Sequence, residues 1–458
     1  MQDIQTFNKN EVFGTTEGVY HKFKRYLKQT IAAEISTISK YCDNVIYHNP
    51  NSKHSNNFIF EAIQNNHKNA LASLNDLPDL SKNDDRTLLV LDSDFNYSND
   101  IEKLLSNLKP KLNRHTRVQV ITYNPYLKGL YSWANSIGIR SGEVPPTFLR
   151  MNDYDDLMKL TGYEITRVKN SAYFPFKLFG LGHLVNKLMP LIPLFRWLSF
   201  VSIITIRPKI QDEKWPSISV VIPARNEKGN IENALKRMPA FGEAKLEIIF
   251  VEGNSTDQTW DEIQRVAELY KDQFDIKTYK QTGKGKNDAV RLGFKHANGD
   301  LLTILDADLT MPPELLVRYY DAYREGKADF INGSRLLYTM EGKAMRFLNK
   351  LGNIFFAKAL SYVLDQRLTD SLCGTKLVHR KDYNRILKWR NDFGDFDPFG
   401  DFELLFPASI LGLGIVNIPI RYLDRTYGET NISRFYHGSI LLKMVTIGFF
   451  KVKLGKVK

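Results

Sequence analysis

Short apolar runs that stop at a proline or an acidic residue, each followed by apolar positions at helical spacing, recur through both halves of the chain. In the second half, Ile218-Ser-Val-Val-Ile-Pro223-Ala-Arg225-Asn226-Glu227 opens into a polar turn before a helical pattern over 231–238. Leu246-Glu-Ile-Ile-Phe-Val251 ends in Glu252 and a polar stretch to Thr259, and Leu301-Leu-Thr-Ile-Leu305 runs straight into Asp306-Ala-Asp308. Strand-length apolar runs alternating with helices predict an α/β fold with a parallel sheet covered on both faces. Ligands of such sheets sit at the carboxyl ends of the strands, where all three polar clusters fall.

The first half repeats the theme, with strands expected over 86–92, 117–122 and 200–206 and helices over 100–112 and 152–158. At 458 residues the chain is long enough for two or three domains. The pattern divides it into an irregular arm over 1–37, a domain over 38–208, a linker over 209–215, a second domain over 216–438 and a basic, apolar tail over 439–458.

Asp306 and Asp308 carry the sharpest chemistry. Alternate side chains of an extended segment point the same way, so both carboxylates can meet on one side of the strand tip. Their hard oxygens suit Mg²⁺ or Mn²⁺, which bind through one or two carboxylates plus substrate phosphates. The other reading is a solvated strand-end turn. Just upstream, Gly283-Lys284-Gly285-Lys286 lets backbone amides and ammonium groups approach phosphate, with a solvated turn again as the alternative.

The order Val-Ile-Pro-Ala-Arg-Asn-Glu, Val-Glu-Gly-Asn-Ser-Thr-Asp-Gln-Thr, Gly-Lys-Gly-Lys-Asn-Asp-Ala and Leu-Asp-Ala-Asp resembles the family-2 glycosyltransferases, most closely their dolichyl-phosphate-mannose-synthase-like branch, over about 216–438. The resemblance implies a nucleotide-diphospho-sugar transferase (GT-A-type) fold, a nucleotide-sugar donor, a divalent metal on Asp306 and Asp308, and inversion at the anomeric carbon. It places Pro223, Arg225, Glu227, Glu252, Asp257, Lys284, Lys286, Asp306, Arg425 and Thr430 at the donor. Gly333-Ser-Arg335 and Asp370-Ser-Leu-Cys373-Gly374-Thr-Lys376 match segments bordering sugar or acceptor, giving Arg335 a catalytic role and Asp370, Gly374 and Lys376 an acceptor role.

Gly400-Asp401-Phe402-Glu403-Leu404 resembles the family's Glu-Asp-x-x-Leu element, in which the aspartate deprotonates the acceptor hydroxyl; Asp401 and Glu403 are the catalytic candidates. The alternative is that they cap a helix and ease its dipole. An acceptor that is a lipid phosphate is already an anion and needs no base. Three departures stand out: Glu252-Gly253 where the family commonly has two acids, Gly400 in place of the glutamate, and Thr430-Asn431 where the branch prefers serine and lysine.

Charge adds a location. The net charge is +12, and over 159–209 Glu164 is the one acid against eight basic residues. After Glu429 there is no acid, yet six basic residues surround the apolar run 440–450. Neither run reaches the roughly 20 apolar residues of a spanning helix. Both suit either an interfacial segment on anionic lipid or core packing with a solvated basic face. No nucleic-acid recognition motif appears, so a glycan or polyprenyl-phosphate-type acceptor is expected and nucleic acid is not. Two cysteines make no disulfide framework, and residues 1–14 are too polar for a secretory signal. Peripheral attachment at the cytoplasmic face of a membrane is the resulting expectation.

The stretch 87–208 resembles the second half of a class I S-adenosylmethionine-dependent methyltransferase, a Rossmann-like fold. The first half departs from it: between Tyr26 and Asp85 there is no glycine to let a backbone pass a cofactor. A truncated, inactive methyltransferase-like domain is the favoured reading, with an active methyltransferase beside it. A noncatalytic sugar-nucleotide-binding scaffold is the rival to the transferase as a whole.

Overall fold

In a computed structural model, described here for residues 16–51, 58–136, 144–335, 347–366, 368–370, 373–394, 400–425, 427 and 434–454, the chain divides into two compact units, 1–208 and 209–458.

The N-terminal unit is built on six strands: β1 (Asn44–His48), β2 (Lys68–Leu71), β3 (Thr87–Asp92), β4 (Arg117–Tyr123), β5 (Tyr163–Ser171) and β6 (Val201–Pro208). Their order is β2-β1-β3-β4-β6-β5. The first four run parallel, while β6 is antiparallel to both neighbours. Alternation in β3 sends Leu89 and Leu91 to one face and Leu88 and Val90 to the other, and both faces are covered. One layer holds α2 (Ile101–Leu108) and α3 (Met151–Thr161).

The other layer corrects an expectation. The segment read as an irregular arm contains helix α1 (Thr16–Ser39), whose Ile31, Ala32, Ile35 and Ile38 pack on Val45, Tyr47 and Val90. Their spacing puts them on one helical stripe, but interleaved Glu34, Ser36 and Thr37 mask it.

The C-terminal unit has seven strands: β7 (Ile218–Ala224), β8 (Leu246–Glu252), β9 (Asp275–Lys280), β10 (Leu301–Ile304), β11 (Phe330–Ser334), β12 (Lys376–His379) and β13 (Ile415–Pro419). Their order is β13-β11-β12-β10-β7-β8-β9. The sheet is mixed rather than wholly parallel, because β12 runs antiparallel between β10 and β11. Thr303 pairs with Leu377 and Asn332 with Lys376, so the first residue of β12 lies at the carboxyl edge of its neighbours. A residue distant in sequence is thereby delivered to the ligand side of the sheet.

The expected linker packs as part of this unit. Asp212 N–H donates to the Arg324 carbonyl at 2.8 Å, and Trp215 stacks on Tyr320 with centroids 6.2 Å apart. The C-terminal run also packs: in the helix Arg434–Gly448, Leu441 and Met444 are buried, and Lys453 pairs with Asp365. Among the described residues, no helix is long and apolar enough to cross a membrane.

Candidate functional site at the carboxyl edge of the second sheet

Strands β7, β8, β10 and β11 each end in polar residues on the same edge. The turns after β7 and β8 are laced together: Asn226 N–H donates to Ser255 Oγ at 3.1 Å, Thr256 N–H to Asn226 Oδ1 at 2.8 Å, and Glu227 N–H to Thr259 Oγ1 at 2.9 Å. Asp257 accepts from Thr259 N–H at 3.0 Å, which starts the helix Thr259–Leu269. Glu252 is buried and accepts from Ser255 N–H at 2.5 Å. One of its oxygens is thus committed to the loop. Pro223 is half-buried within β7, whereas Arg225 and Lys284 are exposed on this rim.

Beside β10, Asp306 forms an ion pair with Lys286, at the start of the helix Lys286–His296. Burial opposes ionisation of Asp306, but Lys286, Lys376 and Arg425 together hold its pKa below the ordinary range. Burial likewise works against the Lys286 ammonium, and Asp306 with Asp401 more than offsets it, so the lysine stays charged. Asp308 has its own partners: its Oδ1 accepts from Thr310 N–H at 3.1 Å and Oγ1 at 2.8 Å, and its Oδ2 meets Arg425 at 2.7 Å. Arg425 arrives on the loop after β13, which is tied down where Leu423 N–H donates to the Thr310 carbonyl at 2.9 Å. Further along that loop, Tyr427 sits against Gly229 of the β7 turn.

Lys376, 1% exposed, pairs with Asp401 at 2.5 Å and also donates to the Cys373 carbonyl. Gly374 lies against the Lys286–Asp306 pair: a Cβ there would fall 2.2 Å from Lys286 Nζ and 2.4 Å from Asp306 Oδ2. No other residue fits that position without moving the charged groups. Asp401 opens the helix Asp401–Ile410 behind Gly400, whose φ of 83° and closeness to Asn287 account for glycine where the family carries glutamate. The result is one cluster of three carboxylates, Asp306, Asp308 and Asp401, matched by Lys286, Lys376 and Arg425.

Two of the expected site residues, Glu403 and Asp370, are engaged by charged side chains of the protein itself. Glu403 is two helical positions from Asp401, and such neighbours do not share a face. It is 3% exposed and bound by Asn287 at 2.8 Å, Arg390 at 2.6 Å and Arg291. Glu403 thereby ties the helices Lys286–His296 and Arg380–Phe393 to its own. Asp370 has a fully buried carboxylate taken up by Arg335, whose Nε and Nη2 donate at 2.8 and 3.0 Å and whose N–H donates at 3.1 Å. Burial opposes the Arg335 charge, but Asp370 outweighs it and raises the pKa. Asp370 thus anchors Arg335. Thr430 lies outside the described residues.

Several partners escaped the motif reading. Asn287 and Arg291 stand four residues apart on one helix face, a spacing visible in the sequence, but their target lies more than a hundred residues away. Glu227, which the resemblance places at the donor, is buried: burial, assisted by Asp308 and opposed by its bond from Asn230, pushes its carboxyl up to about 7.

The first unit has a second strand-end cluster. Asp92 Oδ2 accepts from Tyr47 Oη at 2.5 Å and Asn49 Nδ2 at 2.8 Å, and His48 Nδ1 lies 2.6 Å from Asp94 Oδ1. Asp94 Oδ2 is buried without a hydrogen bond among the described residues.

Residues 219–387, which lie within the second unit and its mixed α/β sheet, match the model for Glycosyl transferase family 2. Similar proteins include the dolichol-phosphate mannosyltransferase of Pyrococcus furiosus, 30% identical over 47% of this chain and 59% of that protein. The dolichyl-phosphate hexose transferase of Haloferax volcanii is 26% identical over 50% of this chain and 92% of its own length. The chain thus spans little more than half of the Pyrococcus protein. Among solved structures, glucosyl-3-phosphoglycerate synthase from Mycobacterium tuberculosis, in complex with Mn²⁺, UDP and glucosyl-3-phosphoglycerate, is 17% identical over 52% of this chain and 80% of that one, with a TM-score of 0.36.

Proposed function

We propose that the protein is a metal-dependent inverting glycosyltransferase that moves a sugar from a nucleotide-sugar donor to a polyprenyl-phosphate-type or other lipid-linked glycan acceptor. The observation that carries this reading is the convergence of Asp306, Asp308, Asp401, Lys286, Lys376 and Arg425 at one sheet edge. Relatives named as polyprenyl-phosphate sugar transferases support the acceptor class.

Asp306 and Asp308 fit Mg²⁺ or Mn²⁺. They supply hard oxygens, and no three acidic, histidine or cysteine side chains among the described residues are grouped so as to hold an ion by themselves, so donor phosphates would complete the shell. The bound ion would neutralise charge on the departing diphosphate. Arg425 and Lys286 stand where they add to that neutralisation, and such preorganised charge is usually the largest catalytic contribution. Lys376 holds the Asp401 carboxylate in place, and Asp401 takes the proton of a hydroxyl acceptor. A phosphate acceptor dispenses with that step and uses Lys376 as counter-charge instead.

For the first unit the reading is an inactive methyltransferase-like domain. Its support is the parallel order closed by one reversed strand, together with the tying of Asp92 and Asp94 to neighbouring side chains. Attachment at the cytoplasmic face of a membrane follows from the acceptor class.

The test is transfer of labelled sugar from UDP-, GDP- and dTDP-sugars to a polyprenyl phosphate and to a hydroxyl acceptor, with Asp401→Asn beside wild type. On a hydroxyl acceptor the variant should lose about 10²- to 10⁴-fold in rate; on the phosphate it should lose little. Folded protein that neither transfers nor hydrolyses any donor would replace this reading with a noncatalytic sugar-nucleotide-binding scaffold.

A further inference from the structure

The first unit displays an apolar surface that the transferase chemistry does not use. Between β5 and β6 the chain forms short helical turns around the helix Leu181–Leu188. There Leu178, Phe179, Leu181, Leu184, Leu194 and Trp197 are each at least half exposed, Phe179 completely so. Isolated apolar side chains on a surface are ordinary, but a concentration of them within one segment marks an interaction site.

The backbone that presents them is anchored. Asn186 Oδ1 accepts from Tyr173 and Phe174 N–H at 2.6 and 2.8 Å, while its Nδ2 donates to the Phe174 carbonyl at 2.8 Å and to Tyr26 Oη at 3.2 Å. Gly182 packs directly on the Phe176 carbonyl, leaving no room for a Cβ. At the exit, Asn124 Nδ2 donates to the Trp197 and Ser199 carbonyls at 2.8 and 2.7 Å. The apolar side chains thus stand out from a backbone fixed at both ends.

Charge identifies the occupant. From Ile165 to Gln211 the sequence has no acidic residue, and Lys177, Lys187 and Arg196 lie among the apolar positions. A helix of eight residues cannot span a bilayer but can lie in its interface, apolar side chains down and basic ones at the headgroups. A protein partner with an apolar patch would not call for one-signed charge over this whole stretch. We propose that residues 174–198 form a membrane-insertion surface that seats the first unit in an anionic phospholipid interface. The proposal deepens the membrane part of the reading above and rests on it for its purpose, not for its evidence.

Full-length protein would be sedimented with phosphatidylcholine vesicles and with vesicles containing phosphatidylglycerol, at low and high salt. Tryptophan emission would be recorded for wild type and Trp197→Phe. Binding is expected to the anionic vesicles, weakened by salt, with a blue shift and bromolipid quenching that Trp197→Phe removes. Phe179→Ser with Leu184→Ser should reduce partitioning on the order of tenfold or more. Lys177→Glu with Lys187→Glu should do so too, without touching an apolar residue, and thus covers any folding failure of the first pair. Equal binding of all variants, or no binding to anionic vesicles, would overturn the proposal. So would concentration-dependent self-association abolished by Phe179→Ser, which would assign the face to a second copy. Calorimetric binding of donor keeps the two readings apart: wild type that binds donor but no vesicles counts against insertion alone, whereas variants that lose vesicle binding and keep donor binding support it.

Discussion

Two Asp-x-Asp steps close apolar strands in this chain, Asp92-Ser-Asp94 beginning on the last residue of β3 and Asp306-Ala-Asp308 just after β10, and each sits at the carboxyl edge of its sheet. Around the second pair the chain gathers cations: Lys286 and Arg425 in direct contact and Lys376 nearby, so that Asp306 is held ionised. Around the first pair it gathers neutral donors, Tyr47, Asn49 and Ser93, with a histidine at Asp94. Burial there pushes Asp94 up to about 6, and His48 offsets only part of the rise. Two carboxylates at a strand tip are therefore not yet a metal or phosphate site. Their neighbours decide whether they remain charged and available or become buried hydrogen-bonding groups.

The comparison is sharpened most by removing an anchor of the charged edge. Asp370→Ala leaves the Arg335 guanidinium, 13% exposed, without its two-pronged partner. It should cost about 3–5 kcal/mol of stability in urea titrations, as an anchor would and a surface acceptor ligand would not. Next, Asp306→Asn should slow sugar transfer about 10²- to 10³-fold with little change in melting temperature, while Asp92→Asn should leave the transfer rate near wild type. A common effect of both would erase the distinction.

Asp94 gives a pH signature. Its carboxyl is raised from 3.8 to about 6 in the folded protein, so the folded state binds the extra proton and stability falls as pH rises from about 4 through 6. The loss amounts to at most about 3 kcal/mol. Asp94→Asn should flatten that slope in melting curves, and an unchanged slope would refute the assignment. The smallest effect belongs to Asp92→Ala, which strands the Tyr47 hydroxyl and Asn49 amide for about 1–3 kcal/mol.

Much of this was readable in the residue order. Apolar runs of strand length that end at Glu252 and Asp306 locate the functional edge, because a parallel sheet requires both the run and the polar stop. What could not be read were contacts made by long-range register. Lys376 reaches the edge because β12 inserts backwards between β10 and β11. Arg291 and Arg390, on two other helices, converge on Glu403, contacts that its own helix pattern does not show. The buried stripe of α1 was hidden by the polar residues between Ile31 and Ile38. In each case the local pattern was compatible with two environments, and only packing chose between them.

The central claim is that the charged edge, and not its counterpart, holds a nucleotide-sugar with a divalent ion. The most direct measurement is calorimetric titration of UDP-, GDP- and dTDP-sugars with Mg²⁺ or Mn²⁺ into wild type, Asp308→Ala and Asp94→Asn. Metal-dependent binding of one nucleotide class, lost in Asp308→Ala and retained in Asp94→Asn, is the predicted result. Binding that survives Asp308→Ala unchanged, or no binding by folded wild type with either ion, would contradict it.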